Sequence, residues 1–219
     1  MYSILEHYLS TNHILMIGMI VTFILTFFLL EHPFSFLPSD QGRAFAVNGS
    51  LSKGKLRGVG FIFVLCFLIS SVLFLPLDVE YVIYGILLFA MMISGYLDDA
   101  SKTPWNEYKK GLIDLVISVV AVLTYMNFNS TTICFGADEI VIPKALFLIL
   151  GVILIWVSVN VTNCTDGVDG LCASLCSVTL LAFGVLFASV LQKYAMANFL
   201  FLSVLFAYLY FNSSPSSML

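Results

Sequence analysis

Seven apolar runs, each close to the length of a bilayer crossing and each closed by a helix-breaking connection, constrain this chain more than any other feature. They fall at residues 14–30, 58–75, 81–96, 111–126, 145–159, 171–190 and 195–211. A helical crossing needs about 20 mostly apolar residues, with latitude at both ends. The connections carry Pro33, Pro76, Pro104, the polar segment 127–138, and Gln192-Lys193. A soluble domain is excluded, because 60% of the residues are apolar and only 10% are charged. The first run is too long and starts too late for a standard signal peptide, and no small-residue cleavage site follows it, so it reads as a retained span. The expected fold class is an all-α polytopic membrane protein of about seven transmembrane helices. Residues 1–219 form a single integral membrane domain in this reading.

The basic residues give the orientation. Arg43, Lys53, Lys55 and Arg57 lie in the first loop and Lys102, Lys109 and Lys110 in the third, leaving only Lys144 and Lys193 of the nine for the other side. The positive-inside rule then places the first, third and fifth loops in the cytoplasm and the amino terminus outside. The net charge of −4 implies no nucleic-acid partner. Cys172 and Cys176 are four apart on one helical face, but two thiols without further ligands read as small apolar side chains rather than as a zinc site. Outside, two short β-prone runs flank Gly136–Glu139, which predicts a hairpin near 131–142. Asn129-Ser-Thr131 matches a glycosylation sequon, and nothing else in the sequence supports a secretory pathway.

The fifth loop carries the densest polar chemistry. Asn160-Val-Thr-Asn163-Cys-Thr-Asp166-Gly167-Val168-Asp169-Gly170 places two carboxylates, two carboxamides and two glycines between two apolar runs. Polar groups at membrane depth are costly without a function or a partner. The residues at 160, 163, 166 and 169 recur every third position, so a tight or partly unwound turn would make them converge, whereas a regular helix would spread them. Gly167 and Gly170 suit such a turn through positive φ, and let backbone N–H groups approach an anion. This predicts a site for a phosphorylated ligand; the plainer alternative is a polar loop with a helix cap.

Two other cytoplasmic stretches join it. In the first loop, Ser39-Asp40 is followed by Ser52-Lys53-Gly-Lys55-Leu-Arg57-Gly-Val-Gly60, cations among glycines that suit phosphate oxygens or anionic headgroups. The third span ends in Asp98-Asp99. The two carboxylates point about 100° apart on a helix. Negative charge at a helix C-terminus opposes the macrodipole, so the pair is a poor choice for stability and a better one for holding a divalent cation. Lys110 and Asp114 are four apart, with the spacing of an ion pair, and Asp114 lies in an apolar run and is expected to face the bundle interior.

On the segments Ser52–Gly60, Gly95-Tyr-Leu-Asp98-Asp99 with Lys102, and Asn160–Leu171, the chain resembles the polyprenyl-phosphate N-acetylhexosamine-1-phosphate transferases, with the Thr165-Asp166-Gly167 form of the phospho-N-acetylmuramoyl-pentapeptide transferase branch. Two departures stand out. Leu56-Arg57 occupies the place of the family's usual Pro-Thr. The chain also reaches Phe211-Asn212-Ser-Ser-Pro215 and stops short of the family's later aspartate and histidine-rich loop, so this sequence alone is expected to be inactive, with the main metal-binding aspartate lying beyond Leu219.

The resemblance implies a Mg²⁺-dependent transfer of phospho-MurNAc-pentapeptide from UDP-MurNAc-pentapeptide to undecaprenyl phosphate, giving lipid I and UMP at the cytoplasmic face of the bacterial inner membrane, within the lipid bilayer; it leaves room for a homodimer. It assigns Asp98, Asp99, Asp166 and Lys110 to catalysis, Lys53, Lys109, Asn160, Gly167, Val168, Asp169 and Asn212 to nucleotide or substrate binding, and Asn163 to the metal. Asp98 reads as an orienting group rather than a base, since a phosphate monoester is mostly dianionic at neutral pH. The rival readings are a GlcNAc-1-phosphate transferase of the same superfamily and a carboxylate-lined ion transporter; basic loops on one side only argue against transport.

Overall fold

A computed structural model describes residues 1–32, 34–40, 54–101, 103, 105–135, 138–213 and 216–218. After a short turn α1 (Tyr2–Leu5) come α2 (Thr11–Glu31), α3 (Gly60–Phe74), α4 (Val79–Ala100), α5 (Glu107–Phe128), a hairpin of β1 (Thr132–Phe135) and β2 (Asp138–Val141), then α6 (Lys144–Thr165), α7 (Leu171–Phe187) and α8 (Gln192–Asn212). Each expected apolar run is therefore helical. Five of the helices, α2, α4, α5, α6 and α8, are long and apolar enough to cross a bilayer. At 1.5 Å per residue, the 15 residues of α3 and the 17 of α7 reach only about 23–26 Å, short of the roughly 30 Å of hydrocarbon. The expected hairpin is present, with Thr132 opposite Val141 and Phe135 opposite Asp138.

Packing follows the small residues. α8 is the most enclosed helix and lies against α7, α2 and α3; α3 continues to α4, α4 to α5, and α5 to α6. Lipid tails are as apolar as leucine, so helix association rests on close approach and side-chain hydrogen bonds. Thr22 and Thr26 of α2, Ser70 and Ser71 of α3, Ser177 of α7 and Ser203 of α8 are all buried, and because Thr26, Ser71, Ser177 and Ser203 bond carbonyls one turn back in their own helices, it is their small size that serves the close approach. At Gly18 an added Cβ would meet Leu200 and Phe74 at 3.1 Å, so α2 and α8 approach at a distance only glycine allows without repacking. α6 differs from the others. None of its residues is buried against the described part of the chain; it runs along α5 and touches α7 only slightly.

Two apolar clusters mark the two ends of the bundle. Ile14, Phe74, Leu75, Met196 and Leu200 form one. Leu30, Leu37, Val59, Ile62, Cys66, Ala173, Tyr208 and Met218 form the other, on the same end as Asp98 and Asp169. At the first end a polar clamp joins α4, α5 and α8. The buried Glu80 accepts hydrogen bonds from Tyr84 Oη (3.0 Å) and Asn129 Nδ2 (2.7 Å), and Lys193 Nζ lies 3.8 Å from it. Lys193 also pairs with Asp78 at 2.6 Å, and Asp78 caps α4 through the Tyr81 N–H. Removing a buried acceptor strands its donors, at about 1–3 kcal/mol. Glu80→Ala is thus expected to lower the thermal midpoint in detergent clearly more than Asp78→Ala, whose side chain is 48% exposed; equal shifts would count against the clamp.

Candidate active site

The charged residues of the other end lie on several different segments and are joined side chain to side chain. The α4 helix closes at Ala100, so Asp98 and Asp99 occupy its last turn. Asn106 then caps α5 by accepting the Tyr108 N–H, which puts Lys109 and Lys110 in the first turn of the next helix. Carboxylates at a helix C-terminus and ammonium groups at an N-terminus both oppose the macrodipole. The two misplacements offset one another here, because Lys110 Nζ donates to Asp98 Oδ2 at 3.3 Å. The same ammonium donates to Asn163 Oδ1 of α6 at 3.4 Å. Asp98 Oδ1 accepts the Trp105 N–H at 2.9 Å, so both oxygens of Asp98 are engaged.

The first loop supplies the other half. After a turn at Gly54 (φ +91°), Leu56 is bridged to Ser39 on one side and to Met218 on the other, which makes residues 55–57 a short extended piece. Side chains two apart on an extended segment point the same way. Lys55 accordingly pairs with Asp169 (3.3 Å) and donates to Ser216 Oγ, while Arg57 pairs with Asp99 through its guanidinium at 2.7 Å. A series of polar groups thus runs Asn163, Lys110, Asp98, its chain neighbour Asp99, Arg57 and, two residues back along the chain, Lys55 and Asp169.

The loop 166–170 differs from the expected tight or partly unwound turn that would draw residues 160, 163, 166 and 169 together. α6 stays helical to Thr165, and only Asp166 to Gly170 leave it. A regular helix spreads residues three apart around its surface. Asn160 consequently donates back to Trp156 O of its own helix at 2.8 Å and is not drawn into the series with Asn163. Asp166 is the exposed C-cap residue of α6, again at the end where negative charge opposes the dipole. Gly167 does not use positive φ, but Gly170 does, at +75°. Gly170 donates its N–H to Asn212 Oδ1 (2.9 Å), and Asn212 Nδ2 donates to Met218 O (3.0 Å). Asn212 is buried and pins the loop to the end of α8. Val168 stands 63% exposed beside it.

Lys109 lies over the Trp105 ring at 3.4 Å, so Lys110 alone of the two is turned to the carboxylates. The expected Lys110–Asp114 pair is replaced by Lys110–Asp98; the long lysine side chain reaches back toward the preceding loop, where Asp98 lies. Asp114 is buried, as expected for the bundle interior. Lys53 lies outside the described residues. Sequence reasoning singles out neither Lys55 with Ser216 nor the Arg57–Asp99 pair. The signal is there in the Lys-Leu-Arg alternation, which is a strand period rather than a helical one.

Asp169 shows how the ties shape its charge. Partial burial raises its carboxyl pKa, but the Ser216 hydroxyl and N–H and the Lys55 ammonium more than offset this, leaving it below the usual carboxylate range. A folded pKa below the unfolded value adds stability above the unfolded pKa of about 3.9, and that stability is lost as pH falls through the depressed folded value. The midpoint difference between the parent and Asp169→Asn is expected to be present at about pH 6 and to shrink steadily as pH falls below about 3.9. A difference that persists undiminished at the low pH would contradict this role.

The family model of glycosyl transferase family 4 matches residues 81–219. The chain is 32% identical over 225 residues to a protein of Treponema pallidum (strain Nichols) named phospho-N-acetylmuramoyl-pentapeptide-transferase, with 93% of this chain and 62% of that protein covered. A protein of the same name from Dictyoglomus turgidum is 25% identical over 213 residues, covering 94% of this chain and 68% of its own length. One from Wolbachia pipientis wMel is 26% identical over 179 residues, covering 73% of this chain and 52% of its own length. The chain therefore spans just over three fifths of the Treponema relative.

Proposed function

The chain belongs to glycosyl transferase family 4, and on that premise we propose that its charged end serves the transfer of phospho-MurNAc-pentapeptide from UDP-MurNAc-pentapeptide to undecaprenyl phosphate, releasing UMP and leaving lipid I in the membrane. The observation that carries this reading is Lys110, whose ammonium draws together an aspartate oxygen of α4 and a carboxamide oxygen of α6. Phosphoryl transfer asks for positioning and neutralised charge more than for covalent help. A cation ringed by oxygens at the mouth of an apolar bundle supplies both. In this reading all seven apolar helices cross the bacterial inner membrane, with α3 and α7 as its short members, and the basic first and third loops set the site on the cytoplasmic face.

The donor set fits Mg²⁺. Asp98 Oδ2 and Asn163 Oδ1 are hard oxygens that converge on one positive charge, the kind of set Mg²⁺ takes. Asp98 and Asn163 would hold it. When bound it would neutralise diphosphate charge. Lys110, released toward the ligand, binds the leaving diphosphate. The α7 N-terminus, opening at Leu171 after the Gly170 turn, offers N–H groups and a positive dipole end to an anion. Gly167, Val168 and Asp169 line the same loop for the nucleotide. Asp98 orients rather than accepts a proton: both of its oxygens already take hydrogen bonds from within the chain, and the acceptor phosphate is mostly ionised at neutral pH.

Exchange of labelled UMP into UDP-MurNAc-pentapeptide tests the reading. Residues 1–219 fused to the carboxyl-terminal part of the Treponema relative are expected to exchange UMP in a Mg²⁺-dependent manner, with undecaprenyl phosphate present. UDP-GlcNAc should not substitute. No exchange by a folded, membrane-inserted fusion would overturn the proposal.

A further inference from the structure

The seam between α2 and α3 has a four-residue period. Gly18, Thr22 and Thr26 lie on the buried stripe of α2, and Cys66, Ser70 and Phe74 on a buried stripe of α3. Residues four apart share a helical face. Two contacts fix how the stripes meet. A Cβ added at Gly18 would touch Phe74 at 3.1 Å, and the Thr26 hydroxyl and the Cys66 thiol are hydrogen-bond neighbours. The helices run antiparallel, so one turn forward from Gly18 to Thr22 is one turn back from Phe74 to Ser70. Thr22 and Ser70 therefore share the rung midway between the two contacts. The next rung beyond Thr26 and Cys66 is Leu30 with Ile62, which lie in one apolar cluster. At 1.5 Å per residue, Thr22 is roughly 14–17 Å from either end of α2, close to the bilayer midplane.

Both hydroxyls of this rung are enclosed and unsatisfied. Thr22 is 0% exposed and Ser70 1%, and neither side-chain oxygen has a hydrogen-bond partner among the described residues. Other buried hydroxyls in the helices behave differently: Thr26, Ser71, Ser118, Ser177 and Ser203 each donate to the carbonyl four residues back. A hydroxyl in hydrocarbon without a partner is costly. At the neighbouring rung the larger sulfur of Cys66 lets the two side chains meet. With serine in that place the two oxygens stay unbonded, and both need the same kind of partner.

We propose that Thr22 and Ser70 together hold one buried water molecule between α2 and α3 at the middle of the membrane. The guest must be small, since α8 encloses the seam from a third side, with Leu200 against Gly18. It must be neutral, because neither residue carries charge and an ion at that depth needs charged or more numerous oxygen ligands. It must be able to give and to take hydrogen bonds, as each hydroxyl can do either. Water meets all three conditions. A buried water makes about three hydrogen bonds. The carbonyls of Gly18 and Cys66, one turn back from the two hydroxyls, each keep a lone pair for the third. The site is independent of the transferase reading. It gives the first two crossings a polar tie that the small size of their side chains does not supply.

Radiolytic hydroxyl labelling of the full chain in detergent, read by mass spectrometry, tests the site. Radicals formed from a bound water oxidise the side chains beside it, and Cys66, one turn from Ser70, is a free thiol only 1% exposed. The parent and Thr22→Ser, which keeps the hydroxyl, are expected to show oxidation of Cys66. The double variant Thr22→Val, Ser70→Ala should lose it. Thermal midpoints give a second readout. Each single variant, Thr22→Val or Ser70→Ala, is expected to melt about 2–4 °C below the parent, the shift of one stranded hydrogen bond in a chain of this size. The double variant should melt no lower than the milder single, because a rung without polar atoms strands nothing. Size-exclusion profiles establish that each variant is folded. Equal oxidation of Cys66 in the parent and the double variant, single variants that melt with the parent, or losses that add in the double would each overturn the proposal. A coupled midpoint cycle with Cys66 unoxidised in the parent would also overturn it, since the two hydroxyls would then bond each other directly.

Discussion

Lys110→Met is expected to cut UMP exchange in the fusion protein by more than about 100-fold, the size associated with removing one preorganised charge partner of a transition state. Lys109→Met should cost no more than about threefold, which is the order of a surface charge. The two lysines are neighbours in one helical turn with the same side chain, so general electrostatics treats them nearly alike. What separates them is direction. Lys110 lies 3.3 Å from Asp98 and 3.4 Å from Asn163, while Lys109 lies over the Trp105 ring. Methionine keeps most of the length and the apolar stem, so the comparison isolates the ammonium group. Losses of equal size would mean that only the summed positive charge of the loop matters.

Asp166→Asn is expected to be the second large loss, again above about 100-fold in exchange. Asp166 closes α6 at the end where its carbonyl dipoles already concentrate negative charge. For stability alone asparagine is a good residue there, neutral and at ease in capping conformations. The variant should stay folded and inserted while turning over poorly. That opposition of stability and activity is the informative result. A drop in both would point to a structural role, and near-normal exchange would reduce the loop to a connector.

The helices are readable in the sequence because bilayer-length apolar runs leave the backbone little choice. Their ends are less so. The apolar character of α6 fades at Val159, yet the helix continues to Thr165, since backbone hydrogen bonding outlasts side-chain hydrophobicity. The every-third-residue pattern suggests convergence of Asn160 with Asn163, and a regular helix does not provide it. Of the two glycines expected at positive φ, Gly170 adopts it and Gly167 does not; an exposed turn of this kind needs positive φ only once. Individual partners are beyond reach from spacing alone. Lys110 has Asp114 one turn ahead and Asp98 across a loop, and the choice between them depends on how α4 and α5 pack. Arg57 looks like a departure from a pattern in the sequence, and its pairing with Asp99, 42 residues away, comes only from folding.

The charged series also has a timetable. Asp98 and Lys110 are 12 residues apart and can meet as soon as α4 and α5 are paired. Arg57 and Asp99 are separated by 42 residues, and Lys55 and Asp169 by 114. At roughly 5–20 residues per second of synthesis, Lys55 waits on the order of 6–23 s after its own emergence before Asp169 exists. In the proposed topology Lys55 is open during that interval to anionic lipid headgroups that Asp169 and Ser216 must later displace. Membranes richer in anionic lipid should therefore slow the last step of assembly without altering the finished bundle.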